Sequence, residues 1–207
     1  MRPKMAGAYA WILALGFSLG VVFTPAAQAN GGPDEIARNA TEEVASIVRQ
    51  DRDIRAGNKK KIHALVEAKI LPHFDFERMT RLAMGKNWRD ASVAQQAVLI
   101  EEFRAMLVRT YAASISSIVD YKFEYKALRM SPGDTEVMVS LEASKSGSPA
   151  IPVDYRVEKQ AAGWKVYDIL VDGVSLITVY RSSFNSEIKK GGVDGLIDTL
   201  RRRNQKA

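Results

Sequence analysis

The chain has 207 residues, of which 46% are hydrophobic, and a formal net charge of +6 from 30 Lys and Arg against 24 Asp and Glu. It has no cysteine and only two histidines, His63 and His73, which excludes disulfides, thiolate chemistry and cysteine metal sites and leaves little for histidine-based catalysis. The basic runs Lys59-Lys60-Lys61 and Arg201-Arg202-Arg203 carry no interleaved aromatics, so they read as solvated helix faces or as an attraction to anionic partners, with no nucleic acid among them.

Chain order begins with Arg2 and Lys4, an apolar run from Ala8 to Phe23, Pro25, and then Ala27-Gln28-Ala29. A positive end, a short apolar core and a small-x-small site predict a secretory signal peptide over residues 1–29, cleaved after Ala29. The apolar run, about 16 residues, falls short of the ~20 that span a bilayer. Residues 30–207 are then expected to form a single exported domain whose stability comes from packing alone.

Helical spacing follows. Ile36, Ala40, Val44, Ile47 and Val48 predict a helix from Asp34 toward Arg55, and Gly57-Asn58 breaks it. Ile62, Leu65, Val66 and Ile70 mark a second helix ending at Pro72. Asp75 is placed to cap a third, with Gly85 as its stop. Ser92 and Gln95 have capping-box spacing at the head of the longest helix, which carries Val98, Leu99, Phe103, Met106, Leu107, Tyr111 and Ile115.

After Val119 the period changes to two. Tyr121, Phe123 and Tyr125 alternate with charged residues; Val137, Val139 and Leu141 form a second strand, and Ile151, Val153, Tyr155 and Val157 a third. A fourth, Trp164 to Val171, is apolar on both faces in its second half. Turn-rich tetrapeptides separate the strands, and Asp172-Gly173 ends the sheet. Leu176, Ile177, Tyr180, Phe184 and Ile188 predict a helix stopped by Gly191-Gly192, and a last turn or two bears Leu196, Ile197 and Leu200. The fold class is α+β: a curved antiparallel sheet of about four to five strands, with helices packed over one face.

No phosphate-binding loop, nucleophile elbow, zinc-protease or dinucleotide motif occurs. His73-Phe74-Asp75 is too few ligands for a metal and reads as a helix boundary. Asp168 and Tyr155 are the least implausible pair for acid–base chemistry. Large apolar residues instead accumulate on the long helix, the sheet and the following helix, where they form either an ordinary core or the walls of a cavity.

Several motifs in order resemble one family. The stretch from Ile70-Leu71-Pro72-His73-Phe74-Asp75 to Leu82-Ala83-Met84-Gly85-Lys86-Asn87-Trp88 is one. The helix from Ala94-Gln95-Gln96 to Tyr111 is a second. The third runs from Trp164 to Leu176, continuing into Tyr180-Arg181-Ser182-Ser183-Phe184 and Gly192-Val193-Asp194-Gly195-Leu196-Ile197. Together they resemble the MlaC, or toluene-tolerance Ttg2, family of periplasmic phospholipid-binding proteins, over nearly the whole exported chain.

The resemblance implies an NTF2-like fold enclosing an apolar cavity, and a monomeric, non-enzymatic carrier. Such a carrier shuttles phospholipid between an outer-membrane lipoprotein complex and an inner-membrane ABC-transporter complex, maintaining outer-membrane lipid asymmetry. No metal or cofactor is implied beyond the bound lipid. The expected lining is Phe103, Met106, Leu107 and Tyr111 from the long helix; Val139, Val153, Tyr155, Trp164 and Val166 from the sheet; and Val174, Leu176 and Tyr180 beyond it. Lys86, Arg104, Arg156 and Arg181 are candidates for the head group or a docking surface. The alternatives are a periplasmic adaptor without ligand, its interior filled, and a small-molecule enzyme on the same kind of fold.

Overall fold

The computed structural model describes residues 31–205, so the expected signal peptide and its cleavage site lie outside the described residues. Helix α1 spans Pro33–Gln50, with proline in its first turn beside Asp34 and Glu35, which suit the positive end of the helix dipole. It does not run on to Arg55. Asp51 turns extended and caps a separate short helix, α2 (Arg52–Arg55), by accepting from the amides of Asp53 and Ile54. Helix α3 (Lys59–Lys69) starts at an Asn58 cap, and Asp75 caps α4 (Phe76–Met84) through the Arg78 amide at 2.8 Å. The Ser92/Gln95 capping box opens α5 (Val93–Tyr111) reciprocally, at 3.2 and 2.9 Å.

The long helix is shorter than its apolar spacing suggests. At Ala112 the chain tightens into a 3₁₀ helix, Ala112–Asp120, whose Ser116 and Ser117 hydroxyls bond carbonyls three residues back. Serine side chains offer the backbone such local alternatives to the α-helical ladder. Ile115, Ile118 and Val119 therefore pack against α1 and α3 rather than extending α5.

Five antiparallel strands follow in chain order: β1 (Lys122–Tyr125), β2 (Glu136–Ser144), β3 (Ile151–Gln160), β4 (Gly163–Val171) and β5 (Val174–Ser175). The fold is α+β, as expected. Asp172-Gly173 does not end the sheet; both residues have positive φ (51° and 75°) and form the tight turn into β5. Helix α6 (Leu176–Gln205) breaks at Gly191 and Gly192, and its second half, longer than a turn or two, buries Leu196, Ile197 and Leu200.

β4 contains the irregularity that matters most. Val157 pairs with Val166 but Arg156 pairs with Asp168, so Tyr167 is an extra residue on β4. Such a bulge flips the faces of every residue beyond it. Tyr167 and Asp168 are both buried, and Tyr167 joins the core that α4, α5 and α6 share. There the Arg78 guanidinium lies 3.7 Å over its ring, and its hydroxyl donates to Glu136 at 3.0 Å. Arg78 also pairs with Glu136 and Glu158, tying α4 to β2 and β3. Its charge, with the Tyr167 hydrogen bond, holds the Glu136 carboxyl below its ordinary range.

Candidate functional site

The interior divides into three apolar clusters: α4–α5–α6; α1, α3 and the 3₁₀ segment; and the inner face of the sheet. They do not close on one another. Between them lies a cavity of about 660 Å³.

Each wall is set by local sequence. The α1 stripe Ile36, Ala37, Ala40, Thr41 and Val44 forms one side, its two alanines leaving room. The sheet forms the other with Tyr155 and Val157 from β3 and Trp164, Val166, Ile169 and Val171 from β4. Even-numbered residues face the cavity before the bulge and odd-numbered ones after it, so a strand apolar on both faces keeps one continuous apolar wall. Leu107, Val108 and Tyr111 of α5 contribute the roof, with Ala112, Ser114, Ile115 and Ile118 beyond them. Six residues of strand separate the Val171 level from the Trp164 level on β3, about 20 Å at ~3.3 Å per residue.

The buried members of the lining include Val66, Met79, Val157 and Trp164. Its rim is open. Tyr111, Val171, Val174 and Val179 line it and are 45%, 48%, 59% and 51% exposed. Apolar side chains left this open on a folded surface mark a place where apolar material enters.

Among the described residues the lining contains no Lys, Arg, Asp or Glu; its polar side chains include Thr41, His73, Tyr111, Ser114 and Tyr155. Burial, with Lys165 nearby, lowers the His73 pKa, so the imidazole is neutral at pH 7. The phenol of Tyr155 is pushed up to about 12 by burial. No group of three or more metal-ligating side chains occurs among the described residues.

The expected lining residues separate into two sets. Leu107, Tyr111, Tyr155, Trp164, Val166, Val174 and Leu176 come together around the cavity. Phe103 and Met106 do not: they lie in the α4–α5–α6 core, where Phe103 meets Tyr180 and Phe184 edge-on, each at 5.0 Å. Tyr180 belongs to that aromatic cluster. Val139 is sealed under α1 within the sheet cluster, and Val153, on the cavity side of β3, is only partly buried and outside the lining.

None of the four basic candidates lines the cavity. Lys86 is exposed in a 3₁₀ turn; Arg104 pairs with Glu67 and Glu101 at 3.5 and 3.4 Å; Arg181 donates to the Leu82 carbonyl at 2.8 Å. Arg156 pairs with Asp168 at 3.6 Å. The N-terminal wall, by contrast, is absent from the sequence-based set, because Ile36, Ala40 and Val44 have the spacing of any core-facing helix.

Asp168 and Tyr155 are not brought together at the cavity. Asp168 does not line the cavity; its carboxylate accepts from the Ile169 and Ile177 amides and the Ser175 hydroxyl, at 2.9, 3.2 and 2.7 Å. It fastens the start of α6 to β4, next to the cavity rim. Asp168→Asn leaves an oxygen for the two amides but replaces the one that meets the Ser175 hydroxyl and Arg156, and is expected to cost about 1–3 kcal/mol in urea unfolding. Ligand content per folded molecule should be unchanged; a fall in content without a fall in stability would place Asp168 at the ligand.

Comparison with known proteins agrees with this geometry. The sequence profile of the family described as "MlaC protein" matches residues 38–202. The chain belongs to the MlaC family. The intermembrane phospholipid transport system binding protein MlaC of Haemophilus influenzae is 19% identical over 92% of this chain and 91% of its own length. The toluene tolerance protein ttg2D of Pseudomonas putida is 18% identical over 78% and 75%. A phospholipid-binding protein of Ralstonia solanacearum, solved in complex with a phospholipid, is 37% identical with a TM-score of 0.78, covering 84% of this chain and 97% of its own. Seen against these MlaC-family relatives, the open-ended apolar cavity is the feature that calls for a ligand.

Proposed function

We propose that this chain is a periplasmic phospholipid carrier. The observation that carries the reading is the cavity: about 660 Å³, uncharged along its lining and open at an exposed apolar rim. Each methylene moved from water into an apolar site contributes ~0.8 kcal/mol, so two acyl chains with about 30 of them cost on the order of 24 kcal/mol to expose. A lipid therefore crosses an aqueous compartment only inside something that replaces the bilayer. This cavity does so with aliphatic and aromatic walls, and its open rim gives acyl chains a way in and out.

The phospholipid seen with the Ralstonia relative and the phospholipid transport system named for the Haemophilus one support the same reading. In that role residues 1–29 direct export and are removed. The remaining chain acts as a monomer between an outer-membrane lipoprotein complex and an inner-membrane ABC-transporter complex. It performs no chemistry on its cargo and needs no cofactor. No helix among the described residues is long and apolar enough to cross a membrane. An adaptor with a filled interior is disfavoured by the cavity, and an enzyme by the engagement of Asp168 elsewhere.

Native mass spectrometry of the exported protein, with lipid extraction from the same sample, tests this. A phospholipid adduct released on denaturation is expected, and it reports chain number and head group together. A bare mass that stays bare after incubation with phospholipid liposomes would overturn the carrier reading.

A further inference from the structure

The cavity wall holds a polar group that takes no hydrogen bond among the described residues. Tyr155 sits mid-strand on β3, paired with Val139 on one side and Ile169 on the other, and its side chain lines the cavity. Its aromatic neighbour Tyr125 is already engaged, its hydroxyl 2.9 Å from Thr41 Oγ1 and 3.2 Å from the Ala37 carbonyl. Burial, with Tyr125 nearby, raises the Tyr155 phenol's pKa, so it stays protonated, a donor, throughout the physiological range. A tyrosine hydroxyl on an apolar cavity wall loses water when acyl chains fill the cavity, and leaving it without an acceptor there is costly. With no positively charged side chain in the lining, an anionic acceptor at this depth would be unpaired, so the fitting acceptor is neutral.

Depth identifies it. Tyr155 lies two residues below the rim level of Val171, about 7 Å at ~3.3 Å per residue. From Tyr155 down to Lys159, the residue paired with Trp164, is a further four residues, about 13 Å. One leaflet of a bilayer supplies about 15 Å of hydrocarbon, half of the ~30 Å core, measured from the acyl carbonyls inward. A lipid whose chains fill the lower part of the cavity therefore brings its acyl carbonyls to Tyr155 and its charged group to the rim. We infer that the Tyr155 hydroxyl donates a hydrogen bond to an ester carbonyl of the bound glycerolipid and selects ester-linked over ether-linked chains. This rests on the carrier reading above.

The test is a two-by-two comparison. Wild type and Tyr155→Phe, which keeps the ring and loses only the hydroxyl, are loaded from vesicles of diacyl or dialkyl-ether phosphatidylglycerol with matched chains. Occupancy is read by native mass spectrometry. Wild type is expected to prefer the ester lipid by about fivefold to tenfold, the worth of one buried hydrogen bond, and Tyr155→Phe to hold both equally. Equal loading of wild type by both lipids, or a preference that survives in Tyr155→Phe, would overturn the assignment while leaving the carrier reading intact. Failure of wild type to load either lipid would overturn both. Near-ultraviolet circular dichroism confirms that Tyr155→Phe is folded, and a variant that is not is replaced by Tyr155→Leu in the same comparison.

Discussion

Ala40→Trp is expected to leave the protein folded and nearly without lipid. Ala40 lies on the α1 stripe that faces the sheet across the cavity, and its methyl group leaves room on that wall. An indole there occupies space the acyl chains need and makes apolar contacts with walls that now face a void. The lining loses nothing: van der Waals partners replace empty volume, so the melting temperature should hold or rise. Lipid recovered by native mass spectrometry should fall at least tenfold, about 1.4 kcal/mol or more of lost binding. Asn39→Trp puts the same ring on the exposed face of α1 and serves as the control, with lipid content unchanged. Full lipid content in a folded Ala40→Trp protein would mean that the ligand does not occupy this cavity.

The experiment discriminates because cavity and core look alike in a sequence. The α+β order, the Ser92 and Asp75 caps and the meander were legible, since each rests on short-range chemistry: side chains that accept specific amides, alternation with period two, and turn residues at defined positions. The sheet side of the cavity was partly legible for the same reason; Tyr155, Trp164 and Val166 share a face by parity. Parity then fails at Tyr167. The only trace of the bulge is that β4 is apolar on both faces beyond it, which is equally the pattern of a strand buried on two sides. Ile169 and Val171 were thus not separable from the buried pair Tyr167 and Asp168 before the register was known.

The wall made by α1 and the 3₁₀ segment was not legible at all. Ile36, Ala40 and Val44 are spaced for a core, and nothing in that spacing says whether the surface opposite is in contact or across a void. Similarly, the apolar residues of α5 continue past Tyr111 at helical intervals, while the serines that tighten the chain act through hydroxyl–carbonyl bonds rather than hydrophobic pattern. A void is a property of three packed layers that fail to meet. Only their assembled geometry contains it.

α5 separates the two situations along one helix, and Phe103→Ala is expected to show it. Phe103 is fully buried one turn before Leu107, outside the cavity lining, and locked edge-on between Tyr180 and Phe184. Truncating it removes a ring from a packed cluster and leaves a hole the neighbours only partly fill, which costs about 3–5 kcal/mol. Urea unfolding should report that loss, a large share of the stability of an ordinary domain. Lipid per folded molecule should nonetheless match wild type, because Leu107, Val108 and Tyr111 keep the cavity face of the helix in place. Phe103→Leu should restore most of the stability without altering lipid content. If lipid per folded molecule fell in step with stability across both variants, the aromatic cluster and the cavity turn of α5 would be coupled, and the cluster would belong to the binding machinery rather than to the scaffold beside it.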